Sequence, residues 1–231
     1  MRQRTEGTTE DTDTAVHREF RTNRPLSSWL STTREVLLSP QRFFDELPPD
    51  GPLGAPVLYF LLCTAITTVI SLAIGLAFLA VPVVVALVTD PAGARVLITI
   101  LMVFVFAFLV ALPILLVAVF FVSVLILHAL IRLLARRSQQ GLSATVRVSC
   151  YSVGAPTAVA WIPLVGLLTV FYCFYLQTTG LKRAHGISTS SSVVAIMMVA
   201  VLLLILAAAV LLYDYHLIQE TVGDADLFAG R

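Results

Sequence analysis

Four stretches of the chain run without a single Asp, Glu, Lys or Arg: residues 51–89, 96–131, 148–181 and 184–213. A helix rises about 1.5 Å per residue and needs roughly 20 apolar residues to cross the hydrocarbon core of a bilayer. Each stretch is therefore long enough to span at least once. A helix buried in a soluble protein is commonly bounded by charge within about 10–14 residues, and a cleavable signal peptide would not begin behind some fifty mostly polar positions. The pattern predicts a polytopic, all-α transmembrane bundle.

Ahead of the first stretch the pattern changes from continuous to periodic. Trp29, Val36 and Phe43 recur every seven residues, as do Leu30, Leu37 and Phe44, with Leu26 and Leu47 on the same stripe. At about 100° per residue they fill a wedge of roughly 140°. Ser31, Glu35, Arg42, Asp45 and Glu46 take the opposite side. Pro40 divides the segment, because the residue before a proline avoids the helical region and proline suits a first helical turn. Residues 26–50 are thus expected to form a pair of short amphipathic helices, anchored at the membrane interface through Trp29, Leu30, Val36, Leu37, Pro40, Phe43 and Phe44. The same stripe could instead pack on the protein's own spans. Residues 1–25, rich in charge and Thr, read as a disordered tail.

Composition supports lipid as the main solvent: 58% of the 231 residues are hydrophobic, 13% are charged, and mean hydropathy is +0.92. Charge placement then sets the number of crossings, since cytoplasmic loops collect Lys and Arg. Five spans near 55–80, 98–124, 146–162, 164–181 and 192–213, with the N-terminus inside, put thirteen of fifteen basic residues on the cytoplasmic side and leave 214–231 as an outer tail. The stretch from Val148 to Leu181 must return to the side it left, and Trp161-Ile162-Pro163 supplies the turn. Charge parity does not separate two short spans there from a re-entrant hairpin. Val96–Ile131 could fold in two at Pro113, giving six spans, but that loses the sorting of the later loops. One long second helix keeps it.

The chemistry of catalysis is sparse. His17, His128, His185 and His216 lack paired metal-ligand spacing, and there is no Gly-x-Ser-x-Gly, His-Glu-x-x-His or phosphate loop. Cys63, Cys150 and Cys173 fall inside spans and read as small core residues. No acid or base is expected inside any span, which disfavours ion-coupled transport. No enzyme activity, cofactor or metal is expected. Tyr151, Ser152, Tyr172, Tyr175 and Gln177 concentrate polarity at membrane depth, either as interhelical hydrogen bonds or as a pocket.

Trp29, Val36, Leu37, Pro40 and the Phe43-Phe44 pair ahead of the first span resemble the opening of the Yip family, the Ypt-interacting proteins. The later landmarks follow in order: His128, then Tyr151-Ser152 with Pro156, then Ile162-Pro163 with Gly166, then Gly180-Leu181 with His185 and Ser188. Together they cover roughly residues 27–213. The resemblance implies a cytoplasmic N-terminal region and a five-span domain over 51–213. It also implies a role in membrane traffic, with membrane lipid, other membrane proteins or a small prenylated GTPase as partners. Nucleic acid is not an expected partner. The membrane would be the plasma membrane in a prokaryote and the endoplasmic reticulum or Golgi in a eukaryote. The tail is short and lacks the aromatic-rich character expected of a GTPase-binding arm.

Two function classes follow. One is a non-enzymatic membrane organiser or adaptor working through the interfacial segment and the basic loops Arg132–Arg147 and Lys182–His185. The other is a small permease for a neutral solute, using the breaks at Gly154–Pro156 and Pro163–Gly166.

Overall fold

A computed structural model describes Phe20, residues 25–134 and residues 140–229. The rest of the expected tail, Arg136 and Arg137 lie outside the described residues. Among the described residues eight α-helices follow one another: α1 (Pro25–Leu38), α2 (Pro40–Glu46), α3 (Gly54–Thr89), α4 (Pro91–Phe106), α5 (Leu112–Leu134), α6 (Leu142–Thr157), α7 (Pro163–His185) and α8 (Thr189–Ala229). Proline opens α1, α2, α4 and α7, where its missing N–H would have had no helical partner.

A π-helical turn, Ala107–Ala111, joins α4 to α5 without a break. Pro113 explains it, because its ring has no N–H for the carbonyl four residues back and crowds that carbonyl, so the helix widens just ahead of it. The stretch from Val96 to Ile131 is accordingly one rod. At its start Asp90 caps the helix, its Oδ1 accepting from the Ala92 N–H at 3.1 Å, and α3 and α4 form a hairpin with Asp90 as the link. At the other end of the chain Gly186, at φ +61°, closes α7 in the left-handed conformation that a side chain resists. Ser188 then caps α8, its Oγ accepting from the Ser191 N–H at 3.1 Å.

Among the described residues four helical runs are long and apolar enough to cross a membrane: Gly54–Thr89, Ala92–Leu134, Pro163–His185 and Thr189–His216. With α6 as the fifth member, the architecture is an all-helical transmembrane bundle. The 16 residues of α6 rise only about 24 Å, and the helix is enclosed by α1, α3, α5 and α7. Every residue from Ala144 to Ser152 is buried.

Packing is concentrated at one end. There α1 and α2 meet the beginnings of α3, α6 and α8 and the ends of α5 and α7, around Val36, Phe44, Tyr59, Leu127, Tyr151 and Leu181. This end also carries Arg132, Lys182 and Arg183. Toward the opposite end the helices separate and their apolar side chains face outward, with Phe78 79% and Val88 80% exposed on α3. In water such surface would drive association; in lipid it is ordinary.

Candidate functional site

The basic end is built by fastening α1 and α2 to the bundle. On α1, Trp29 Nε1 donates to Cys63 Sγ at 3.2 Å, the Thr33 and Tyr59 hydroxyls pair at 2.9 Å, and Tyr172 Oη donates to the Leu37 carbonyl at 2.5 Å. On α2, Arg183 Nη1 donates to the Gln41 carbonyl at 3.1 Å and pairs with Asp45. A ladder of rings continues inward: Phe43 lies 5.4 Å from Phe44 and 5.0 Å from Tyr151, Tyr151 lies 5.1 Å from Tyr59, and Tyr59 lies 5.7 Å from Phe20. The tilted and edge-on geometries are those aromatic pairs prefer.

The expected anchor stripe therefore divides. Val36, Phe43 and Phe44 are buried in the protein's own core, Trp29 and Leu37 are partly buried against it, and Pro40 is partly buried. Leu30 is 64% exposed, and Leu38, outside the expected set, is 70% exposed. The outward stripe of α1 is thus Leu30, Arg34 and Leu38, spaced one helical turn apart. The heptad rows are long and apolar enough for either environment, so periodicity alone did not separate the two.

Close helix approach depends on Gly180. A Cβ there would lie 2.5 Å from Val148 Cγ1 and 3.0 Å from Phe44 Cε1, well inside ordinary carbon–carbon contact of about 3.5–4.0 Å. Gly166 likewise leaves room for the Ala160 carbonyl at the α6–α7 turn. Tyr151, Ser152 and Pro156 are buried on α6, whereas Pro163 is exposed at the start of α7.

Two landmarks far apart in sequence come together on Thr145. His128 Nδ1 lies 2.8 Å and His185 Nε2 lies 2.9 Å from the same Thr145 Oγ1, with the ring centroids 6.1 Å apart. One hydroxyl thereby ties α5, α6 and α7. Both rings lie beyond the expected spans 98–124 and 164–181. Burial, with His128 and Arg132 nearby, pushes the His185 pKa down to about 4, and burial followed by Arg132 lowers that of His128. Both shifts favour the neutral form of the ring.

Arg147 departs from its expected place on a basic loop surface. It is 1% exposed, with Nη1 donating to the Pro52 carbonyl at 3.1 Å and packed over Gly51. It lies in the second turn of α6, where helix enclosure turns every side chain inward. The five polar residues expected to concentrate at membrane depth do not share a pocket. Tyr151 and Ser152 face the core, Tyr172 is engaged by Leu37, Gln177 Nε2 donates to Ser149 Oγ at 3.4 Å, and Tyr175 is 43% exposed. A groove of about 410 Å³ opens beside the α6–α7 break, lined by Leu37, Pro156, Val159, Val165, Leu168 and Tyr172. Thr169, also at its wall, donates to the Gly166 carbonyl at 2.6 Å. The groove is apolar in effect.

Among the described residues no group of three His, Cys, Asp or Glu is placed to hold a metal ion. Sequence reasoning missed Thr145 and Tyr59 as partners of the landmarks. A usable signal was present: residues 143–152, SATVRVSCYS, carry the small and hydroxyl side chains that a helix surrounded by other helices needs.

A family model described as the Yip1 domain matches residues 34–211, the interval holding every ring of the ladder but Phe20, the Thr145 bridge and Gly180. No curated protein and no solved structure matches the chain.

Proposed function

The chain belongs to the Yip1-domain family of integral membrane proteins, and from that membership we propose that it is a non-enzymatic membrane organiser or adaptor. Its working surface is the basic end, with the N-terminus cytoplasmic and five spans near 55–80, 98–124, 146–162, 164–181 and 192–213. The observation that carries this reading is the fastening of α1 and α2 to α3 and α7 through four separate hydrogen bonds. It makes a fixed platform of a segment that could have lain loosely on lipid. Leu30, Arg34 and Leu38 on its outward stripe, and Lys182 at the same end of the bundle, are exposed and available to a partner.

Family membership supports association with a membrane and, in general terms, with Rab-type GTPases. For this chain the direct test is binding of a purified small GTPase, prenylated and unprenylated, to the full-length protein in lipid nanodiscs. Binding weakened at least tenfold by Leu30→Ser with Leu38→Ser supports the platform. Binding unchanged by that pair places the contact elsewhere. The permease reading is less well supported, because the groove at the α6–α7 break offers no unengaged side-chain polar group at Thr169 or Tyr172 to a polar solute. Flux of a neutral solute through liposomes holding only this protein would revive it.

A further inference from the structure

His128, Thr145 and His185 sit on three different helices and share one hydroxyl. A hydroxyl has a single hydrogen to donate. When both rings are neutral, one ring nitrogen carries a hydrogen and donates to Thr145 Oγ1, and the hydroxyl hydrogen goes to the bare nitrogen of the other ring. One extra proton fits the same arrangement, since an imidazolium can donate to Oγ1 while the hydroxyl serves the neutral ring. A second proton breaks the shared arrangement. Both rings then direct N–H groups at one oxygen, the hydroxyl hydrogen must leave the bridge for a backbone carbonyl one turn back on α6, and two cations stand 6.1 Å apart between centroids.

Among the described residues, the charges that act on the two rings favour the neutral state. Arg132, one turn after His128 on α5, acts on both rings. On α6 the nearest charge, Arg147, is directed to the Pro52 carbonyl. On α7, Lys182 is exposed and Arg183 is engaged by Gln41 and Asp45. The first turn of α8 carries uncharged Thr189, Ser190, Ser191 and Ser192. The negative end of α7 offsets part of the penalty on a charged His185.

We propose that the His128–Thr145–His185 bridge is a pH-sensitive clasp, closed while at least one ring is neutral and opened when both are protonated. Opening releases the ends of α5 and α7 from the start of α6. Because Arg183 lies two residues before His185 and holds α2, the clasp also governs how firmly the platform is seated. The inference stands on the bridge geometry and holds whether or not the basic end binds a GTPase.

Hydrogen exchange of the full-length protein in zwitterionic nanodiscs at pH 7.5 and 5.0, corrected for intrinsic rates, tests it. A His185 pKa of about 4 in the closed state against about 6.5 when exposed gives an opening constant roughly thirtyfold larger at pH 5.0. That rise is expected for amides in 126–134, 142–149 and 179–186, and is expected to vanish in H128Q/H185Q. Equal opening constants at the two pH values, the same rise in H128Q/H185Q, or an equal rise in residues 70–88 at the far end would each overturn the clasp.

Discussion

Replacing Gly180 by alanine adds one methyl group at the point where α6, α7 and α2 converge. That methyl would sit 2.5 Å from Val148 Cγ1 and 3.0 and 3.1 Å from two carbons of the Phe44 ring, so neighbours must retreat by about 1 Å to restore ordinary contact. Val148 is β-branched and holds one rotamer in a helix. It is buried, and so is Phe44, whose ring is braced by Phe43 at 5.4 Å. Neither can rotate away cheaply. Overpacking of this kind costs about 1–3 kcal/mol, and at about 2–4 °C per kcal/mol for a chain of this size the melting temperature should fall by roughly 2–12 °C. Val148→Ala alone opens a small void and costs about 1–3 kcal/mol. Combined with Gly180→Ala it admits the new methyl, so the double variant should be less destabilised than the sum of the two by at least 0.5 kcal/mol. Thermal unfolding of the four proteins in one detergent reads the cycle. Gly180→Ala melting with the wild type, or strictly additive losses, would refute the close-approach argument.

Phe44→Ala should cost about 3–5 kcal/mol, whereas Leu38→Ser, on the outward stripe, should change stability by no more than about 0.5 kcal/mol; the same melting assay compares them. Thr145→Val leaves two ring nitrogens facing a methyl and should cost about 1–3 kcal/mol. Ser152→Ala removes a buried hydroxyl that has no hydrogen-bond partner among the described residues and should be neutral or slightly stabilising. Stability should also depend on pH. The folded His185 pKa, about 4, lies below the unfolded value of about 6.5, so the unfolded chain binds more protons between them. Its contribution, up to about 3 kcal/mol, is complete above pH 6.5 and lost as pH falls toward 4. Melting curves from pH 4 to 8 should show that loss, and His185→Gln should flatten it.

Much of the architecture was legible before any coordinates. Uncharged runs of such length read as membrane spans, and the helix start at Pro40 and the turn at Trp161-Ile162-Pro163 follow from proline's own geometry, whereas the start at Pro91 was not anticipated. What was not legible is which side of an amphipathic helix meets protein and which meets lipid, because both are apolar. Phe43 and Phe44 went inward and Leu30 and Leu38 outward on packing grounds that a helical wheel does not contain. The Thr145 bridge was hidden for another reason. His128 and His185 are 57 positions apart in the chain and join only through tertiary contact, so local metal-ligand spacing was the wrong test. Arg147 escaped because basic residues beside a loop are usually solvated, and here the helix that carries it is enclosed on all sides.

The account rests on one arrangement: the packed end, with α1, α2, the α5–α6 connection and the α7–α8 turn, lies on the cytoplasmic side, and the α3–α4 link lies on the other. Single cysteines at Ala92, Gln140, Ser190 and Asp226, in a background with Cys63, Cys150 and Cys173 replaced by alanine, test it by labelling with a membrane-impermeant maleimide from each side. Positions 140 and 190 should label only from the cytoplasm, and 92 and 226 only from outside. Labelling of 190 from outside, or of 92 from the cytoplasm, would contradict the arrangement and with it the placing of the platform.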